Sequence, residues 1–258
     1  MGYKIVQPAK AQRTVSHWNK HVFLHIPKTA GTTLTGILNR NYPAAEIKQL
    51  YNPNQFEQEL ATGLADVNIT ILYGHFAYDA SLNSSEYYVF TFLREPIART
   101  ISNYLHLKKS PEPQHKAWMK NVNSIEDFLQ LKQAFNWQAR HLSGQKFSTD
   151  FGKDLGLSFG MAKENLARMN FVGLTEQFED SLLCLSTDLG WTKLKHKNQN
   201  VQLSQGVAEE LATKYGEQIA EQNKLDMELY ELATRLFQKK FSEITALNRI
   251  LFNAKKLL

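Results

Sequence analysis

The sequence is poor in cysteine, in long apolar runs and in blocks of like charge. Of its 258 residues only Cys184 is a cysteine, so no intrachain disulfide can form, and its apolar neighbours favour a buried structural thiol. No stretch approaches the roughly 18 apolar residues of a membrane span, and the N-terminal stretch lacks a signal-peptide core. We therefore expect a cytoplasmic protein without stable membrane association.

The absence of basic blocks and of metal-ligand spacing limits the kinds of ligand that the sequence predicts. The net charge is +5, but no basic block or arginine-rich stripe accompanies it. An anionic ligand or an acidic substrate therefore suits the chain better than nucleic acid. No cluster of histidine, cysteine and carboxylate residues has the spacing of a metal site, so we expect no metal requirement.

The composition is that of an ordinary folded domain, with 43% hydrophobic and 21% charged residues. No linker, internal repeat or low-complexity segment divides the chain. We expect a flexible N-terminal arm over residues 1–20 and a single domain over 21–258, with a core large enough to need no disulfide.

Short apolar runs alternate with helical patterns along the chain. Helices are expected over 32–40, from Pro96 onward, at several places in 105–170, and in the last part of the chain. The predicted strands cover residues 22–26, 69–73, 87–93 and 170–174. This alternation predicts an α/β fold of the P-loop type, a three-layer sandwich whose mostly parallel central sheet is flanked by helices. Ligands of such sheets bind at the carboxyl ends of the strands.

The first predicted strand runs into the loop His25–Thr33, which opens a helix. Free N–H groups at a helix start bind phosphate or sulfate; Gly31 permits close approach of the backbone, and Lys28 adds an ammonium group. The other candidates for anion binding in this loop are Thr29, Ala30, Thr32 and Thr33. The order is not that of the Walker loop, because Lys28 precedes the glycine. The plain alternative is a turn carrying a surface lysine.

Residues 23–33, FLHIPKTAGTT, resemble the 5′-phosphosulfate loop of sulfotransferases that use 3′-phosphoadenosine 5′-phosphosulfate (PAPS). The closest group is the one containing heparan sulfate 2-O-sulfotransferase and its bacterial relatives. The resemblance implies that Lys28 contacts the phosphosulfate and stabilises the leaving oxygen.

Residues 92–104 resemble the 3′-phosphate site of the same family. There an arginine ends a central strand and a serine follows eight residues later, a spacing that Arg94 and Ser102 match. Arginine recognises phosphate through its rigid fork of donors. Taken alone, Arg94 fits an ordinary strand-end ion pair equally well. We expect Arg99 to lie behind the site or at the surface.

The Gly74-His75 pair follows the second predicted strand, where relatives carry a histidine that serves as general base. An imidazole suits proton transfer near neutral pH, so His75 is the candidate base; a structural loop histidine is the alternative. Tyr73 stands where the 2-O-sulfotransferase has a further histidine, so the resemblance supplies no second catalytic histidine.

Three more segments resemble the family without adding chemistry of their own. They cover residues 136–144, 171–176 and 223–230. Within the first, Arg140 is expected to face the substrate. Lys197 and Asn198 fall where relatives have a basic loop near the nucleotide, so we expect them to bind the donor.

Together these features predict an enzyme that transfers a sulfuryl group from PAPS to the hydroxyl of a glycan or small metabolite, leaving 3′,5′-ADP (PAP). Two alternatives remain open: a P-loop-type nucleotide kinase or phosphotransferase, and an inactive module that binds acidic glycans. The identity of the acceptor and the oligomeric state are not predicted.

Overall fold

The computed structural model describes residues 18–51, 56–131, 134–144, 155–196 and 205–257. A five-stranded sheet lies at the centre, with neighbours in the order β2-β3-β1-β4-β5 and every pair parallel. The strands are β1 (Lys20–Leu24), β2 (Ile47–Leu50), β3 (Ile71–Gly74), β4 (Tyr87–Leu93) and β5 (Phe171–Leu174). The predicted α/β fold with a parallel sheet flanked by helices is confirmed.

Helices connect and cover the strands. In the described part of the chain they are α1 (Gly31–Asn41), α2 (Phe56–Ala65), α3 (Pro96–Lys109), α4 (Pro113–Trp118), α5 (Ile125–Phe128), α6 (Trp137–Leu142), α7 (Leu155–Arg168), α8 (Phe178–Leu189), α9 (Gln205–Gln222), α10 (Lys224–Phe241) and α11 (Ala246–Leu257). No helix among these described residues has the length and apolar character needed to cross a membrane.

The central strands are apolar because helices bury both of their faces. Every residue of β1, β3 and β5 is buried, the pattern of an interior parallel sheet rather than of a half-exposed one. Phe23 of β1 stacks on Phe90 of β4 with ring centroids 5.1 Å apart. Cys184 is free and buried in this core, as predicted, and burial raises the pKa of its thiol to about 12.

The last residues of the predicted arm pack against the sheet. Lys20 already belongs to β1, and the Trp18 ring packs edge-on against Tyr88 with centroids 4.6 Å apart. Residues 18–20 thus pack with the domain, while residues 1–17 lie outside the described residues and the division into arm and domain stays a prediction. The edge strand β2 was also not predicted, because of its four residues only Leu50 is buried.

The strand order sets the position of the site. After β1 the chain builds β2 and β3 on one side, then crosses over to place β4 on the other side of β1. Such a reversal opens a crevice at the carboxyl ends of the strands. The segments that follow β3, β1 and β4 carry His75, Lys28 and Arg94, so the topology brings the three predicted motifs to one edge.

Candidate active site

The loop after β1 leaves the start of α1 open for an anion. Ala30, at the N-cap position, has a left-handed backbone (φ 63°) and no side chain caps the helix. The first N–H groups of α1 consequently lack intrahelical partners, and they point where a negative charge binds best. Lys28 also has a positive φ of 73°. Burial, with Arg94 and Arg99 nearby, lowers the pKa of its ammonium group.

The structure shows further packing roles for two residues of this loop, Thr29 and Gly31. The Thr29 hydroxyl is buried and donates to the Ile26 carbonyl at 2.8 Å, so it closes the turn instead of facing a ligand. Gly31 is required by a neighbouring ring, since a Cβ there would lie 1.5 Å from Nε2 of His25. Gly31 and three other predicted loop residues, Ala30, Thr32 and Thr33, line the cleft.

His75 has the tautomer that a general base needs. Its Nδ1 lies 2.7 Å from the His25 carbonyl oxygen, and because a carbonyl only accepts, Nδ1 carries the proton. Nε2 is left as the acceptor of a neutral imidazole. Burial lowers the pKa of His75, and the hydrogen bond to His25 partly offsets this. The side chain lines the cleft, and the lowered pKa favours its neutral form.

Arg94 lies beside the anion-binding loop at the end of β4. Its Nη1 donates to the Lys28 carbonyl oxygen at 3.3 Å, and its Nε lies 3.9 Å from a carboxylate oxygen of Glu176. Ser102, two turns along α3, is half-buried and lines the same cleft. Arg94 therefore makes the strand-end ion pair and also lies beside the anion-binding loop.

The segments 136–144 and 223–230, which resemble the family without adding chemistry of their own, hold Arg94 in place. The buried amide of Gln138 accepts from the Arg94 N–H and donates to the Arg94 carbonyl, both at 2.9 Å. Asp226 in turn accepts from the N–H groups of Gln138 and Ala139 at 3.1 and 2.8 Å. This buried carboxylate fixes the start of α6, and α6 fixes the strand end.

A similar support comes from the segment after β5. The Thr175 hydroxyl donates to the Leu93 carbonyl at 3.0 Å, and Tyr230 of α10 donates to Glu176 at 2.8 Å. Glu176 also accepts from the Glu95 N–H at 3.1 Å. The carboxylate beside Arg94 is thus held by groups from two other parts of the chain.

Four of the predicted site residues, Lys28, His75, Arg94 and Ser102, line one cleft of about 1760 Å³. Its lining includes His25, Lys28, Tyr51, His75, Arg94, Ser102, His106, His115, Trp118, Trp137 and His141. Arg140 lies on α6 between two cleft residues but is not among the lining residues of the described chain, so the structure does not place it with the site. Lys197 and Asn198 lie outside the described residues.

A metal site is not evident in the described ranges, where no three histidine, cysteine or carboxylate residues are grouped to hold an ion. The expectation that no metal is required stays a prediction.

Arg99 lies at the cleft and not at the surface, which was one of the two places expected for it. It is fully buried, and none of its guanidinium nitrogens has a hydrogen-bond partner in the described chain. The Trp137 ring lies 5.7 Å from the guanidinium carbon. Burial lowers the pKa of Arg99 to about 10, against the raising effect of Asp226. The sequence signal that could have placed Arg99 at the site is its spacing of three residues from Ser102, because residues three apart on a helix share a face.

Comparison with known proteins shows the family of the chain. The model of the sulfotransferase family matches residues 12–239. The chain belongs to the sulfotransferase family. The match does not distinguish groups within the family, so the likeness of this sulfotransferase to the heparan sulfate 2-O-sulfotransferase group stays a prediction.

Among solved structures, the sulfotransferase is similar to mouse sulfotransferase SULT7A1 complexed with PAP, at 15% identity and a TM-score of 0.43. The alignment covers 92% of this chain and 89% of that chain. A comparison with the sequences of curated proteins finds no match.

Proposed function

We propose that this sulfotransferase takes a sulfuryl group from PAPS and transfers it to an acceptor hydroxyl. The observation that carries the proposal is the meeting of three neighbouring strand ends at one cleft. The end of β1 supplies the open helix start and Lys28, the end of β4 supplies Arg94, and the end of β3 supplies His75.

The donor has two anionic ends, and the cleft has two cationic places for them. The N–H groups of α1 and Lys28 would hold the 5′-phosphosulfate, while Arg94 and Ser102 would hold the 3′-phosphate. Arg94 touches the Lys28 carbonyl, so one nucleotide can reach both places. Lys28 would offset the charge that grows on the bridging oxygen as it leaves.

His75 would activate the acceptor. Its Nε2 takes the proton of the acceptor hydroxyl, and the acceptor oxygen forms a bond to sulfur from the side opposite the leaving phosphate. The bond from sulfur to the bridging oxygen breaks, and PAP departs with that electron pair. As in phosphoryl transfer, positioning and electrostatics supply most of the acceleration.

The donor assignment is tested by ligand-dependent melting. PAP at about 100 times its dissociation constant, without magnesium, should stabilise the protein by about 2.7 kcal/mol, which raises the Tm of a chain of this size by roughly 5–11 °C. Arg94→Ala should weaken PAP binding about 10- to 100-fold, since it removes hydrogen bonds to a charged group. Arg168→Ala, at an exposed arginine of α7, is the matched control. Stabilisation by ATP with magnesium but not by PAP would favour a kinase.

The chemical role of His75 is tested by kinetics. A general base contributes about 10²- to 10⁴-fold, so His75→Ala should lose that much rate while it keeps its affinity for PAP. The assay is PAP formation from PAPS with a panel of glycan and small-molecule hydroxyl acceptors. A His75→Ala enzyme as fast as the wild type would remove this residue from the mechanism. Tight PAPS binding without PAP formation on any acceptor would indicate an inactive binding module.

A further inference from the structure

His25 occupies a place that simple packing does not explain. Its side chain is 92% buried, with 8% exposed, and its ring centroid lies 4.3 Å from that of His75. Nε2 lies directly over Gly31, where even a methyl group would clash. Within the described ranges no group hydrogen-bonds to this nitrogen, and His25 lines the cleft. The nitrogen therefore faces the open start of α1.

Tyr51 contacts one of the two ring nitrogens of His25. The Tyr51 hydroxyl lies 3.2 Å from Nδ1 of His25. Burial raises the pKa of Tyr51, so it stays a phenol and can donate to Nδ1. A neutral imidazole that accepts at Nδ1 has its proton on Nε2. An anion at the helix start favours the same tautomer, because an accepting nitrogen would repel it.

With the Tyr51 hydroxyl as the donor, the two adjacent histidines have opposite tautomers. His75 donates from Nδ1 to a carbonyl and presents a lone pair at Nε2. His25 accepts at Nδ1 and presents an N–H group at Nε2. Burial, with His75, His141 and Lys28 nearby, holds the pKa of His25 well below its usual range. A neutral donor can therefore lie close to the Lys28 ammonium without charge repulsion.

We propose that His25 is a catalytic residue, whose Nε2–H donates to a non-bridging oxygen of the sulfuryl group held at the start of α1. Tyr51 is the positioning residue that fixes its tautomer. The inference rests on the proposed function, because it needs PAPS in the cleft. It divides the work among three residues: Lys28 acts on the bridging oxygen, His75 on the acceptor hydroxyl and His25 on the group in transfer.

Comparing PAPS with PAP tests the contact, because only PAPS carries the sulfuryl group. By calorimetric titration without acceptor, His25→Ala should lower the affinity for PAPS relative to PAP by about 10- to 100-fold, the effect of losing a hydrogen bond to a charged group. His25→Gln, which keeps an N–H donor at similar reach, should retain most of the ratio. Arg94→Ala should weaken both nucleotides alike and leave the ratio unchanged.

The outcomes separate the two proposals. If the wild type binds both nucleotides and His25→Ala leaves their affinity ratio unchanged, the role of His25 is refuted while the proposed function stands. If the wild type binds neither nucleotide, the proposed function fails and this inference fails with it.

The tautomers can be measured on the unaltered protein, so the test does not depend on the folding of a variant. Long-range nitrogen–proton spectra of protein labelled with ¹⁵N-histidine should show protonated Nε2 in His25 and protonated Nδ1 in His75, with PAP bound. Spectra of His25→Gln and His75→Ala assign the signals. Tyr51→Phe should mix the tautomers of His25 and lower kcat with little change in KM. A proton on Nδ1 of His25 in the wild type would overturn the inference.

Discussion

Gln138 offers the sharpest test of how the strand end positions Arg94. Gln138→Ala removes the acceptor for the Arg94 N–H and the donor to the Arg94 carbonyl, both 2.9 Å from the Gln138 amide. A buried polar group left unpaired costs about 1–3 kcal/mol. Two such groups therefore cost roughly 2–6 kcal/mol, a large part of a typical free energy of unfolding of about 5–15 kcal/mol.

Two measurements on Gln138→Ala separate stability from function. Urea unfolding should show the loss in free energy, and calorimetric titration should show weaker PAP binding, because Arg94 is no longer held against the Lys28 carbonyl. Gln130→Ala is the control, since Gln130 is exposed and should change neither quantity. A Gln138→Ala protein with the wild-type free energy of unfolding and the wild-type PAP affinity would refute the reasoning.

Three further outcomes follow from burial and packing. Burial lowers the pKa of His21 to about 4 and that of His141 to about 3, so the unfolded state binds more protons than the folded state between pH 6.5 and pH 4. Lowering the pH from 7 to 5 should therefore reduce the free energy of unfolding by about 2 kcal/mol per histidine in urea titrations. An unchanged free energy of unfolding would contradict this. Gly74→Ala should severely destabilise the sheet, because its Cβ would lie 1.8 Å from the Leu50 carbonyl, whereas Gly160→Ala meets nothing within 4 Å and should gain up to about 1 kcal/mol in thermal unfolding. Arg99→Met should weaken PAP binding in calorimetry, since it removes a buried cation without hydrogen-bond partners near the proposed donor site. A loss of stability with unchanged affinity would show that the charge serves the fold, through its attraction to the buried Asp226.

The sequence predicted the central strands well because burial on both faces leaves a strong local signal. The predicted third strand over 87–93 has the bounds of β4. The edge strand β2 leaves no such signal, since Lys48 and Gln49 interrupt its apolar residues. Tyr51 follows β2 directly and was missed with it.

Within the site, the motifs predicted which residues meet but not what holds them. Lys28, His75 and Arg94 come to one cleft because each follows a strand, and strand ends were predictable. The role of Gln138 depends on a contact 44 residues away along the chain. The reason for Gly31 depends on the His25 ring, whose position only the packed fold reveals.

The left-handed backbone at Lys28 and Ala30 costs stability, and the proposed role of Lys28 gives a reason for that cost. A residue with a Cβ in this conformation costs about 1–2 kcal/mol that glycine avoids. Selection for heat resistance alone would therefore favour glycine at position 28 and discard the ammonium group with the strain. A variant selected for thermostability without an activity screen should lose Lys28 early, so such a selection must keep this residue unchanged.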